Sequence, residues 1–92
     1  DRMNVLGAEL ASIGEKEMDK LNIRNGLKIN KLSNGKLKNA GIKEGFVITS
    51  VNKRPVTNVD EMKELLNRSR GGVLIEGVYP NGQEAYYVFG LE

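Results

Sequence analysis

The sequence contains no histidine and no cysteine. Their absence excludes the Ser–His–Asp and Cys–His arrangements that activate nucleophiles in many hydrolases. It also removes the usual protein ligands of zinc, haem and iron–sulfur clusters. No serine lies in a Gly-x-Ser-x-Gly nucleophile motif. We therefore predict no catalytic residue, no metal site and no cofactor, and we expect a binding domain rather than an enzyme.

Long apolar runs and a strong charge of one sign are also lacking. No apolar run approaches the roughly 18 residues that a membrane span requires. The chain has 14 Lys and Arg against 12 Asp and Glu, so its net charge of +2 creates only a weak field. The basic cluster of Lys36, Lys38 and Lys43 has no interleaved aromatic side chains that could stack on bases. We expect these lysines to be solvated, and we predict neither a membrane span nor nucleic-acid binding.

Glycine and asparagine divide the 92 residues into short elements. Alternating apolar and polar residues predict strands over residues 4–13 and 27–32, and β-branched residues predict a buried strand over residues 46–51. A brief return segment begins at Pro55. The last two predicted strands cover residues 73–79 and 83–91, with a turn at Asn81 and Gly82 between them. Residues 14–21 are predicted as a loop or a single helical turn, and residues 36–40 as a short helical turn.

The clearest helix is predicted over residues 59–69. Asn58 is a favourable N-cap, and Glu61 three residues later completes a pattern like a capping box. The balance of elements predicts one α+β domain over residues 1–92. Its expected architecture is a bent antiparallel sheet or partial barrel of five or six strands, capped by this helix and by one or two short helical turns.

Two features suggest a binding groove. Residues 5–8 read VLGA, and Gly7 either forms a bulge in an ordinary strand or lets successive N–H groups form a nest for a carboxylate. On the predicted helix, Leu65 falls beside the core-facing stripe, where it either packs at the edge or walls a groove. If the helix lies beside residues 8–12, a peptide could join that strand through its backbone.

The middle of the chain resembles the PDZ family. Residues 40–52 read AGIKEGFVITSVN and are similar to the A-G-[IL]-x-x-G-D-x-I-x-x-[IV]-[ND] signature of bacterial PDZ domains. VLGA at residues 5–8 stands where the family has its carboxylate-binding loop, Y-[IL]-G-[IV]. The order of elements is the permuted bacterial order, most similar to the second PDZ domain of HtrA/Do-type serine proteases. Site-two proteases, tail-specific proteases and type II secretion proteins remain possible parents.

The resemblance implies a role for each matching position. Leu6, Gly7 and Ala8 would present N–H groups to a C-terminal carboxylate, and Arg2 would add positive charge behind this loop. The implied peptide-binding residues are Val5, Leu6, Gly7, Ala8, Glu9, Leu10, Ala11, Ser12, Glu61, Met62, Leu65 and Leu66. The implied partners are peptides or unfolded segments and other domains or subunits of a parent protease, in the periplasm or cell envelope.

The sequence departs from the family at several positions. Val5 replaces the usual Tyr, Ala8 replaces a larger residue, and residues 36–39 lack the common Pro or Ala-Ala. Phe46 replaces the usual Asp, which we interpret as a change in local turn bonding outside the groove. The altered pocket keeps a second hypothesis open, in which the domain docks onto neighbouring domains and governs assembly of the parent.

Overall fold

In the computed structural model, residues 3–91 form seven strands in one antiparallel sheet, with three helices packed around it. The structure describes residues 3–91, with side chains from residue 5 onwards, so Arg2 lies outside the described residues. The strands are β1 (Met3–Val5), β2 (Ala8–Ser12), β3 (Leu27–Leu32), β4 (Val47–Val51), β5 (Arg54–Pro55), β6 (Gly72–Val78) and β7 (Glu84–Gly90). The helices are α1 (Glu15–Leu21), α2 (Lys36–Asn39) and α3 (Val59–Arg68). The strand order is β1-β2-β3-β4-β6-β7, with β5 paired to β4, which confirms the predicted α+β class.

The N-terminal strand differs from its prediction. The single strand expected over residues 4–13 is a hairpin, in which Leu6 and Gly7 form a two-residue turn between β1 and β2. Both turn residues have positive φ, 53° and 90°, as the favoured tight hairpin turns require. A Cβ at Gly35 would lie 2.5 Å from the Leu6 carbonyl oxygen, so the turn packs closely on that glycine. Leucine is not a turn-forming residue, and the alternating pattern therefore gave no sign of a chain reversal at this point.

Helix α1 is longer than the single turn or loop that its sequence predicted. Its buried residue, Leu21, packs with Val47 and Val78 in a small cluster on one side of the sheet. Asn22 ends the helix in the left-handed conformation, with φ of 60°. A seven-residue helix is marginal on its own, so tertiary packing must supply most of its stability.

Helix α3 forms where it was predicted and begins with the predicted cap. The Asn58 side chain accepts a hydrogen bond from the Glu61 N–H at 2.8 Å. The Glu61 carboxylate in turn accepts the Thr57 N–H at 2.7 Å, one residue earlier than in a standard capping box. The helix ends at Arg68 because Ser69 is extended. Its length is ten residues, and no helix within residues 3–91 is long and apolar enough to cross a membrane.

Phe46 is the largest fully buried side chain among the described residues, and its interpretation as a change in turn bonding needs correction. Its side chain is fully buried. The ring lies 4.7 Å from that of Tyr79 and 5.4 Å from that of Tyr87, measured between centroids. On β6, Gly77 leaves room for this ring, because a Cβ there would lie 2.8 Å from the Phe46 Cζ. This departure from the Asp of the signature therefore lies in the core, where burial of a carboxylate is unfavourable.

Candidate functional site

Both edges of β2 are paired. One edge joins β3, and a bulge between Glu9 and Leu10 interrupts that pairing. The other edge joins β1 in antiparallel register, with Met3 opposite Leu10 and Val5 opposite Ala8. A peptide was predicted to join residues 8–12 beside the predicted helix, and this second edge is the one not held by β3. The structure therefore shows that the edge accepts an antiparallel strand, and that β1 is the strand it holds.

The loop predicted to bind a carboxylate is the tip of the β1–β2 hairpin. Its position is fixed by the neighbouring β3–α2 connection: the Ser33 N–H donates to the Gly7 carbonyl oxygen at 2.8 Å. A Cβ at Gly7 would lie 2.8 Å from the Asn34 carbonyl oxygen, so only glycine fits here. Because the turn closes on Val5 and Ala8, the Ala8 N–H faces the Val5 carbonyl group in the β1–β2 ladder.

The predicted pocket residues come together beside helix α3. This helix packs against β2 and β4. Met62 and Leu66 are buried in the main core cluster, which also contains Val5. Leu6 and Leu65 are half-buried and pack against the same cluster. The apolar components of a ligand pocket are thus adjacent, although their binding role stays a prediction.

The remaining predicted residues of β2 lie on different faces of the strand. Ala8 and Leu10 are fully buried and point into the core. Glu9 and Ala11 are half-buried, and Ser12 is exposed, as expected for the opposite face and the open end of β2. Pairing with β1 stops at Leu10. The other predicted acidic residue, Glu61, has its carboxylate engaged in capping α3, and it accepts the Thr57 hydroxyl at 2.9 Å in addition to the N–H.

A pair of tyrosines packs against Phe46 in the core. The hydroxyls of Tyr79 and Tyr87 are hydrogen bonded to each other, and the Lys43 N–H donates to the Tyr79 oxygen at 3.2 Å. Burial, together with the hydrogen bond to Tyr79 and the charge of Tyr79, raises the pKa of Tyr87 to about 12. Tyr87 is therefore protonated at neutral pH, and the pair has a structural role.

The sequence gave little indication of a second surface on β7. Tyr86 is 71% exposed and Val88 is 65% exposed, on the face of the strand that points away from the core. Next to Tyr86 lies an open cleft of about 660 Å³, formed by the end of α1 with β4, β6 and β7. Within residues 3–91, β7 pairs only with β6, so its other edge is open. Apolar residues on both faces of this strand were the one signal in the sequence.

No protein-family model and no curated protein matches the chain, but solved structures do. One is the HtrA3 PDZ domain bound to a phage-derived ligand, FGRWV, with a TM-score of 0.74 and 20% identity over 98% of this chain and 90% of that chain. Another is the HtrA-type protease AlgW with a decapeptide, with a TM-score of 0.71 and 18% identity. That match covers 95% of this chain and spans 28% of the AlgW chain. The described chain therefore has the PDZ fold, in a form similar to the PDZ domains of HtrA-type proteases.

Proposed function

We propose that this chain is a non-catalytic module that binds extended peptides by strand addition to β2, on the edge facing away from β3. One observation carries the proposal: this edge accepts an antiparallel strand, in the register Val5–Ala8 and Met3–Leu10. Such pairing supplies backbone hydrogen bonds that do not depend on the ligand's sequence. Both HtrA-type structures to which the chain is similar were solved with a peptide, which supports the same role here.

Specificity in this proposal comes from the end of the peptide. A C-terminal carboxylate is held by the N–H groups of Leu6, Gly7 and Ala8. The last side chain packs on the half-buried Leu6 and Leu65, above the main core cluster. A short ligand of this kind typically binds near micromolar affinity, about −8 kcal/mol. Because Leu6 and Leu65 are both aliphatic, we expect the ligand's last side chain to be apolar.

Fluorescence anisotropy with labelled FGRWV tests the proposal. We expect saturable binding that weakens at least tenfold when the peptide's C-terminus is amidated. Leu65→Ala should weaken binding several-fold, because it removes apolar surface beside α3. Leu74→Ala is the matched control, since Leu74 is also a half-buried leucine but lies on β6. Equal affinities for the free and amidated peptides would exclude the carboxylate nest, and no binding of either would exclude the peptide-binding role.

The parent protein belongs to the same proposal. We propose that the chain is a domain of a bacterial HtrA/Do-like serine protease in the periplasm or cell envelope, where it presents peptides to a catalytic domain elsewhere in the parent. The similarity to HtrA-type structures supports this origin. Cell fractionation followed by detection with an antibody against residues 1–92 is the direct test. Recovery of the parent in the cytoplasm alone would contradict it.

A second candidate function, assembly of the parent, is favoured by the open edge of β7. This seven-residue strand lacks proline, lysine and arginine, which commonly protect edge strands, and its pairing with β6 shows no bulge. Two copies aligned antiparallel about Tyr87 would place Tyr86 of each opposite Val88 of the other. Glu84, the only charged residue of β7, would face Gly90 rather than a like charge. The strand is thus self-complementary in this register.

Sedimentation velocity measures whether β7 self-associates. We expect a monomer–dimer equilibrium at high micromolar concentration, because one strand pair buries less area than a stable interface normally requires. Val88→Lys should shift this equilibrium to the monomer by placing a charge in the contact. Asn67→Lys, an exposed change on α3, should leave the equilibrium unchanged. A chain that stays monomeric at millimolar concentration would rule out assembly through β7.

A further inference from the structure

We propose that β1 is a built-in competitor for the ligand edge of β2, so that a peptide binds only by displacing it. This inference rests on the peptide-binding role proposed above and adds a form of regulation to it. β1 pairs with Ala8, Glu9 and Leu10, the β2 residues that follow the loop. A peptide antiparallel to β2, with its C-terminus at that loop, requires the same hydrogen-bonding groups. The two strands therefore exclude each other.

The geometry of β1 makes it easier to release from β2 than β3 is. It pairs over only three residues, whereas β3 holds the other edge of β2 over five. The turn that returns β1 to β2 places Leu6 at φ 53°. This left-handed conformation is strained for a residue with a bulky side chain, and glycine or asparagine is normally found there. Release of β1 relieves that strain and leaves β2 paired with β3.

The loop keeps its place when β1 leaves, because it is anchored from the other side. Ser33 holds the Gly7 carbonyl oxygen through a 2.8 Å hydrogen bond, and neither residue belongs to β1. Displacement removes the Val5 carbonyl group from the Ala8 N–H and makes that N–H available to a carboxylate. The competitor therefore blocks both the strand edge and one of the three N–H groups of the proposed nest.

The position of Val5 indicates which kind of ligand side chain takes its place when β1 is displaced. Its side chain is 5% exposed and belongs to the same core cluster as Met62 and Leu66. Leaving this space empty would cost the contacts of a buried valine. A ligand that fills it with an aliphatic residue of similar size restores those contacts. The inference thus specifies a peptide ending in valine or a residue of similar size, which FGRWV satisfies.

Two proline variants of the full chain test the competition. Val5 and Ala8 close the turn as a hydrogen-bonded pair, and such pairs alternate along an antiparallel ladder. The Met3 N–H therefore points at β2, and the Asn4 N–H points away from it. Met3→Pro removes a ladder hydrogen bond and so favours the state in which β1 is released. If this binding-competent state rises from about a tenth of the population to most of it, labelled FGRWV should bind about tenfold more tightly. Asn4→Pro removes no ladder bond and should stay within about twofold of the parent sequence.

Amide hydrogen exchange on the unmodified chain gives a second readout that does not depend on the variants. On addition of FGRWV, the Met3 amide should exchange faster, while the Leu10 amide stays protected because the peptide replaces β1 as its partner. Binding with the Met3 amide still protected, or equal affinities for the two proline variants, would overturn the competition but not the peptide-binding role. Absence of binding in all three chains would overturn the peptide-binding role itself.

Discussion

Gly77 lies where two elements approach too closely for any side chain. A Cβ at this position would lie 2.0 Å from the Val47 carbonyl oxygen and 2.8 Å from the Phe46 ring. Gly77→Ala should therefore destabilise the fold by about 3 kcal/mol, at the upper end of the usual cost of overpacking. Urea unfolding monitored by circular dichroism measures this difference.

Gly72 is the matched control for this substitution because it lies in the same strand. A Cβ at Gly72 meets no atom within 4 Å, and its φ is not positive. We expect Gly72→Ala to change the free energy of unfolding by less than about 0.5 kcal/mol. Equal effects of the two substitutions would show that β6 does not pack against Phe46 and β4 in this way.

Tyr87 makes stability depend on pH in the alkaline range. Burial and the Tyr79 hydroxyl raise its pKa to about 12, from the ordinary value of 10.0. Between these values the unfolded chain loses the Tyr87 proton and the folded chain keeps it, so the unfolded state binds fewer protons. The free energy of unfolding must then fall as pH rises from about 10 to about 12, and the contribution of Tyr87 is fully present below that window.

Ultraviolet titration of tyrosinate checks this prediction. We expect one of the three tyrosines to ionise near pH 12 and Tyr87→Phe to remove that late step. Tyr86→Phe should leave it in place, because Tyr86 is 71% exposed. A late step that survives Tyr87→Phe would assign the perturbed hydroxyl to another residue.

At the scale of elements, α3 is the helix whose limits are set by its own residues. The Asn58 side chain accepts a hydrogen bond from the Glu61 N–H. Removal of such a cap typically lowers the free energy of unfolding by about 1 kcal/mol. We expect this loss for Asn58→Ala in thermal or urea unfolding. Asn67→Ala is the control, because Asn67 is exposed within the same helix and alanine has the higher helix propensity. A larger loss at Asn67 than at Asn58 would contradict the assignment of the cap.

The β1–β2 hairpin shows the opposite case, an element whose form depends on distant residues. The alternating pattern of residues 4–13 is compatible with one strand, and Gly7 indicated a bulge or a nest rather than a chain reversal. The turn is stabilised from outside, by the Ser33 N–H on the Gly7 carbonyl group and by the missing side chain of Gly35. The sequence was therefore sufficient to locate the loop at residues 5–8 and the strand at residues 8–12. It was not sufficient to predict that β1 pairs with the edge of that strand.

At the scale of the whole molecule, the departure from the PDZ signature at Phe46 lies within the core. The family has Asp where this chain has Phe46, and the space around Phe46 is formed by Tyr79, Tyr87 and Gly77. Phe46→Asp, which introduces the residue of the signature at this position, should therefore unfold the domain, since it buries a carboxylate and opens a large cavity. The expected loss exceeds about 4 kcal/mol, which is most of the stability of a small domain.

Circular dichroism and gel filtration are sufficient to observe this loss. Val88→Asp is the control, because it introduces the same charge at a site that is 65% exposed. Its expected cost is about 1 kcal/mol at most, from the poor strand propensity of aspartate. A folded Phe46→Asp variant with near-normal stability would show that the aromatic cluster is not part of the core.

The sequence by itself determined the strand-rich α+β class, the capped helix α3, most strand limits and the likeness to PDZ domains. Each of these depends on local patterns, such as alternation, capping residues and turn-forming glycines, that act within a few residues. Tertiary structure alone decided the helical state of residues 15–21, the burial of Phe46 and the pairing of β1 with β2. These features depend on contacts between residues that are distant in the chain. A local sequence pattern does not indicate which distant residues will pack against a segment.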